Sequence, residues 1–172
     1  MNGVIPDCLT QMIKTKYGAD RLAEVLSAAH MERQSFLPGS DIPDADVMKL
    51  MGAACRTLGI SEGQAAEAFG EYWCLTYAAR IYKADFAGVP NARQFLLQMK
   101  RVHERVTQWI PNARPPVFEF LETAPNKLTM KYISSRNLQN IWLGCVRGVG
   151  IAFNEKLAIR KLDSSSVEIT FG

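Results

Sequence analysis

The sequence predicts an α+β fold: a helical amino-terminal half packed on a carboxyl-terminal four-stranded antiparallel sheet with one crossing helix. Three observations predict it. Apolar residues recur at intervals of three and four over the first two-thirds of the 172-residue chain. Pro111, Pro115 and Pro116 cluster where that spacing stops. Beyond them, short stretches alternate like strands, with a single helical stretch between them.

Ile5 to about Tyr17 is apolar at helical spacing and stops at Gly18, and Arg21–Ala29 follows with Asp20 as its candidate cap. Asp44–Leu58 lays Val47, Leu50, Met51, Ala54, Cys55 and Leu58 along one face, with Pro43 before it and Gly59 after it. Ser61-Glu62-Gly63-Gln64 is a capping-box pattern opening a helix through Phe69, Trp73 and Tyr77. Asn91–Trp109 carries Leu96, Met99, His103, Val106 and Ile110 at successive helical steps. Val117–Glu122 and Leu128–Ser134 alternate as paired strands across the turn Thr123–Asn126. Leu138–Phe153 is helical, and Lys156–Leu162 with Val167–Phe171 forms a hairpin around Asp163–Ser166.

The length suits one domain over residues 1–172, and 48% hydrophobic residues are ample for a core. The net charge of +3 comes from mixed signs with no basic block, so nucleic acid is not an expected partner. The first residues carry no positive region ahead of an apolar run, and no segment reaches a membrane-spanning length, so the expectation is a cytoplasmic protein without membrane insertion. Cys8, Cys55, Cys74 and Cys145 are too scattered for a zinc pattern and read as buried free thiols.

Two features carry chemistry. His103 lies on an apolar helical stripe, where an isolated histidine is ordinarily a core residue with a satisfied ring nitrogen. About thirty residues later comes Tyr132-Ile133-Ser134-Ser135-Arg136; read as a strand, it puts Tyr132, Ser134 and Arg136 on one side. A phenol, a hydroxyl and a guanidinium form a donor array for carboxylates. A neutral imidazole together with that array suits a ligand with a metal at its centre and carboxylates on its rim, namely haem. No Cys-x-x-Cys-His is present for thioether attachment, so haem b would be held non-covalently.

At these residues the chain resembles the haem-nitric oxide/oxygen-binding (H-NOX) domains, a family that includes the haem domain of the soluble guanylate cyclase β subunit. The resemblance is carried by Tyr132, Ser134 and Arg136 as Tyr-x-Ser-x-Arg, by Val102–Val106 around the histidine, by Trp109–Glu119, by Phe69–Trp73 and by Met1–Ile5, in family order. It implies haem buried between the helical half and the sheet, with His103 as iron ligand and Tyr132, Ser134 and Arg136 on the propionates. It implies Pro116 pressing on the porphyrin, and Ile5, Trp73, Tyr77, Ile141 and Cys145 along the gas-binding side. For Trp73 and Tyr77, simple core packing is an equally good reading.

Oxygen-binding members place a tyrosine where this chain has Ile141, so the resemblance implies binding of nitric oxide and carbon monoxide without a stable oxygen complex. It also implies a switch in which nitric oxide weakens the bond to His103. The chain has no kinase, cyclase or phosphodiesterase motif, so the expected output is to a separate signalling protein such as a histidine kinase or a cyclic-di-nucleotide enzyme. A haem enzyme of peroxidase or nitric oxide dioxygenase type would want a distal acid–base pair, and the corresponding positions are apolar or aromatic. A haem-free structural adaptor on the same scaffold is the remaining alternative. Gly144, Gly148 and Gly150 lack the Gly-Lys-Ser/Thr of a phosphate loop and are expected to pack a helix against haem or sheet.

Overall fold

The computed structural model describes residues 1–110 and 113–172, so the helix-ending role given to Pro111 lies outside the described residues. The chain forms two compact units, Met1–Ala65 with Trp109–Ala113, and Ala66–Gln108 with Arg114–Gly172.

The first unit is built on α1 (Val4–Tyr17), α2 (Ala19–Ala28) and α3 (Asp44–Leu58). Leu9, Met12 and Ile13 on α1, Val25 on α2, and Val47, Leu50 and Ala54 on α3 are buried as the periodicity predicts, while Met51, Cys55 and Leu58 at the edge of the α3 stripe are half-buried. Gly18, at φ 94°, ends α1 and caps α2. Asp20 is therefore not the cap; it sits in the first turn of α2, where its carboxylate faces the positive end of the helix dipole.

Helix α4 (Glu62–Tyr72) starts in the first unit and continues in the second. Its capping box forms as expected: the Gln64 N–H donates to Ser61 Oγ at 3.2 Å, and the Ser61 N–H to Gln64 Oε1 at 2.9 Å. The helix does not run unbroken to Tyr77. Trp73–Tyr77 is a π-helical turn, followed by two single-turn helices, α5 (Ala78–Ile81) and α6 (Lys83–Phe86).

The long helix expected over Asn91–Trp109 is two: α7 (Ala92–Leu97), capped by Asn91 Oδ1 accepting from the Gln94 N–H, and α8 (Met99–Thr107). They break at Gln98, whose side-chain amide donates to the Asp85 carbonyl at 3.0 Å. Trp109 falls beyond the end of α8 and is exposed.

Strands β1 (Val117–Ala124), β2 (Lys127–Ile133), β3 (Leu157–Lys161) and β4 (Ser166–Phe171) form one antiparallel sheet in the order β1-β2-β4-β3. Helix α9 (Gln139–Ala152) connects β2 to β3. One sheet face is apolar, with Phe118 paired to Tyr132, Met130 to Val167 and Leu128 to Ile169. Trp142, Leu143, Val146 and Val149 of α9 join that face in a single buried cluster.

Helix α9 also meets α4. An added Cβ on Gly144 would overlap the Ala66 carbonyl, one on Gly70 would overlap Gly144, and one on Gly148 would overlap the Gly70 carbonyl. Gly144 and Gly148 thus serve helix-to-helix contact, not the contact with haem or sheet expected from the sequence. Gly150 is the one of the three that lies against sheet, at Leu157. Arg147 pairs with Glu67 at 3.1 Å beside this contact, a pair too exposed to add much.

The same substitution should therefore act with opposite sign at two helical glycines. Gly63 meets nothing nearer than Ser61 Oγ, so Gly63→Ala should raise stability by up to about 1 kcal/mol through helix propensity. Gly144→Ala should lower it by about 3 kcal/mol or more, because backbone cannot yield as a side chain does. Urea unfolding of both variants checks this; equal effects would contradict the packing described.

Candidate functional site

The site residues of the second unit lie on α4 and its π-helical turn, α8, the segment before β1, the end of β2, and α9. His103 is half-buried on α8, with its ring edge-on to Phe118 of β1 at a centroid distance of 5.3 Å. Its Nδ1 is 2.8 Å from the Met99 carbonyl, one helical turn back. A carbonyl can only accept, so Nδ1 carries the proton and Nε2 keeps its lone pair. Burial lowers the imidazole below its ordinary pKa, against the opposing pull of the Met99 carbonyl. The ring is thus neutral at pH 7, oriented, and open at one nitrogen, which is what an imidazole ligand requires.

The Tyr-x-Ser-x-Arg residues do not sit on one strand face as the sequence reading expected. β2 ends at Ile133, and only Tyr132 belongs to it. Tyr132 is buried on the sheet's apolar face with Leu128 and Met130, not on an outer polar face. Ser134 and Arg136 follow in a turn that ends at Asn137 with φ 52°. The turn gathers the donors in place of strand alternation: the Arg136 backbone N–H donates to Ser134 Oγ at 3.2 Å, which leaves the serine proton available to donate. Arg136 Nη1 donates to the Arg114 carbonyl at 2.5 Å, tying the turn to the segment that leads through half-buried Pro116 into β1.

Trp73 and Tyr77 occupy the π-helical turn. The Trp73 ring is stacked between Phe69, at 5.8 Å, and Tyr77, at 5.4 Å. Tyr77 is fully buried, and the Arg80 guanidinium lies 5.6 Å from its ring centroid. Ile141 and Cys145, one helical turn apart on α9, are half-buried. The Cys74 thiol of the π-helical turn donates to the Cys145 carbonyl at 3.5 Å. Cys8 and Cys74 are buried and in no disulfide, as expected, whereas Cys55 and Cys145 are only half-buried as residues. Ile5 is half-buried on α1 of the first unit.

One polar residue escaped the sequence reading. Trp142, next to Ile141, is buried, stacks on Tyr132 at 5.3 Å with an interplanar angle of 17°, and has no partner for its Nε1 among the described residues. Its position after Ile141 was the available signal, but an aromatic at helical spacing looks like core. The donor set as a whole fits haem: an imidazole with one open nitrogen, a hydroxyl and a guanidinium in one turn, and a buried donor lacking an acceptor. Among the described residues, no helix is long and apolar enough to cross a membrane.

The haem-NO-binding family profile matches residues 2–161. The chain is also similar to solved structures, at levels of identity that speak to the fold. An oxygen-binding H-NOX domain related to soluble guanylate cyclases, in its oxygen complex, superposes with a TM-score of 0.87 at 24% identity, over 99% of this chain and 95% of that one. A Cs H-NOX variant carrying 4-cyano-L-phenylalanine gives 0.87 at 23% identity, over 99% and 96%. A phenylalanine variant of the T. tengcongensis H-NOX gives 0.86 at 23% identity, over 99% and 97%.

The Cys145 thiol itself is enclosed although the residue as a whole is half-buried, and this has a measurable consequence. Burial pushes the thiol up to about 12 from an ordinary value of 9.0. Between these values the unfolded chain has released this proton while the folded chain still holds it, so stability falls as pH rises through that window. Cys145→Ala should flatten this alkaline loss in urea unfolding at a series of pH values. Native Cys145 should also resist iodoacetamide at pH 9, as followed by mass spectrometry; prompt labelling would contradict the assigned environment.

Proposed function

We propose, from the premise that this chain belongs to the haem-NO-binding family, that it is a haem-based gas-sensing domain which binds nitric oxide and carbon monoxide and signals to a separate effector protein. The observation that carries the reading is the His103 geometry, with Nδ1 donating to the Met99 carbonyl at 2.8 Å and Nε2 open. His103 is the protein ligand to iron in this proposal, and haem b is held without covalent attachment. Haem held by His103 would supply an iron able to take up a diatomic gas.

The protein's contributions follow from its own residues. Met99 fixes the tautomer and angle of His103. Arg136 offers guanidinium N–H groups to a carboxylate, and Ser134 offers its hydroxyl proton. Tyr132, stacked on Trp142, presents its phenol from the end of β2. Pro116, just ahead of β1, offers a rigid apolar ring to the macrocycle.

Gas preference rests on the opposite side. Oxygen is retained far better where a distal group donates a hydrogen bond, while nitric oxide and carbon monoxide need that help much less. Ile141 has no donor to give. Trp73 and Tyr77 are engaged in an aromatic pile that continues from Phe69, which supports the packing reading of both. Cys145, with its thiol kept protonated by burial, adds only a weak donor.

Two experiments test this. His103→Gly should lose haem, or regain a five-coordinate ferrous spectrum only with added imidazole; full haem retention with an unchanged spectrum would reassign the ligand. The ferrous parent should give stable spectra with nitric oxide and with carbon monoxide and no persistent oxygen-bound spectrum in air. A lasting oxygen-bound spectrum would overturn the gas assignment while leaving haem binding intact.

A further inference from the structure

Trp142 is about nine-tenths buried, at 7% exposure, and its Nε1 has no hydrogen-bond partner among the described residues. It belongs to a buried cluster with Phe118, Leu128, Met130 and Tyr132 of the sheet and Val146 and Val149 of its own helix, and the Tyr132 phenol is the one oxygen-bearing side chain among these. A buried donor without an acceptor costs stability, and a phenylalanine would carry no such cost. The indole lies in the first turn of α9, immediately after the Ser134–Arg136 donor turn, and its plane is nearly parallel to the Tyr132 ring. The unused N–H therefore belongs to a residue that stacks on Tyr132 and follows the Ser134–Arg136 turn closely in the chain.

We propose that Trp142 is a further anchoring residue for haem, its indole N–H donating to a propionate beside Tyr132. The proposal rests on the haem-binding reading above. A carboxylate is the acceptor that fits, because an ionised partner gives a charge-assisted hydrogen bond in a site with little water. The remainder of the macrocycle periphery is apolar and offers an indole N–H nothing to bond.

Trp142→Phe keeps an aromatic ring and removes the donor. Haem transfer from this variant to apomyoglobin should be roughly tenfold faster than from the parent, the effect of one lost hydrogen bond to a charged group. When both proteins are loaded with haem dimethyl ester, whose carboxylates are capped, parent and variant should release it at similar rates. Release at the parental rate with ordinary haem overturns the proposal, and so does an equal acceleration with the ester, which would mark a loss of ring packing. A changed carbon monoxide stretching frequency with unchanged haem release would move the donor to the gas side and overturn it as well.

Arg136→Ala separates this inference from the reading beneath it. If the parent shows no Soret band, or if Arg136→Ala leaves haem release unchanged, the haem-binding assignment of the donor turn fails. If Arg136→Ala accelerates release and Trp142→Phe does not, only the Trp142 proposal falls. Should Trp142→Phe not fold, the ultraviolet resonance Raman bands that report indole N–H bonding decide in the parent. They should differ between haem-loaded and ester-loaded protein, and identical bands would overturn the proposal.

Discussion

The arrangement of the second unit depends on the packing of one helix, α9, on two sides at once. Toward the sheet it presents Trp142, Val146 and Val149; toward α4 it presents glycines that let the two backbones touch. The sheet side supplies burial of apolar area, and the α4 side supplies positional precision, since helices in backbone contact have no side chains whose rotamers could take up slack. Ile141 and Cys145 lie on the helix between these two contacts. Their positions are set by a frame that cannot shift by even one methyl group without overlap.

The π-helical turn belongs to the same frame. With Gly70 against Gly144 and Gly148, the chain must keep Cys74, Tyr77 and Ala78 buried after it passes this contact. A wider turn over Trp73–Tyr77 changes the phase of the helix so that these three stay inside, while Leu75 and Thr76 face outward. The stacked run of Phe69, Trp73 and Tyr77 lies along the resulting row. Local backbone irregularity and aromatic stacking are thus two aspects of how α4 fits against α9.

Much of this was legible in the sequence, and the failures share one cause. Periodicity located the helices and strands because each buries one face, and the Ser61–Gln64 cap and the Gly59 stop formed where their chemistry predicts. Periodicity records which side of an element is apolar, not whether its backbone is continuous. The spacing of Phe69, Trp73 and Tyr77 reads the same through a π-helical turn, and Leu96 to Val106 reads the same across the break at Gln98. Tyr132, Ser134 and Arg136 do not share a strand face for a related reason. Alternation holds only while the backbone stays extended, and the turn closed by Asn137 carries the last two residues off the sheet. Trp142 was invisible as a polar residue because a buried indole and a buried phenyl produce the same pattern.

The choice of a backbone carbonyl as the partner of His103 couples the ring to its helix. A carboxylate in that place would stabilise the imidazolium and compete for the ring as a charged base; a carbonyl fixes the neutral tautomer while leaving the pKa to burial, which lowers it. Met99 lies four residues earlier on α8, so its carbonyl is part of the helix that carries the histidine. Turning the ring relative to α8 would break this bond, at a cost of about 1 kcal/mol plus the penalty for leaving a desolvated N–H unpaired. At its other end the same turn is closed by Thr107 Oγ1, which donates to the His103 carbonyl at 2.7 Å. Both hydrogen bonds around His103 are thus made within α8, so the orientation of the ring is set by the helix that carries it.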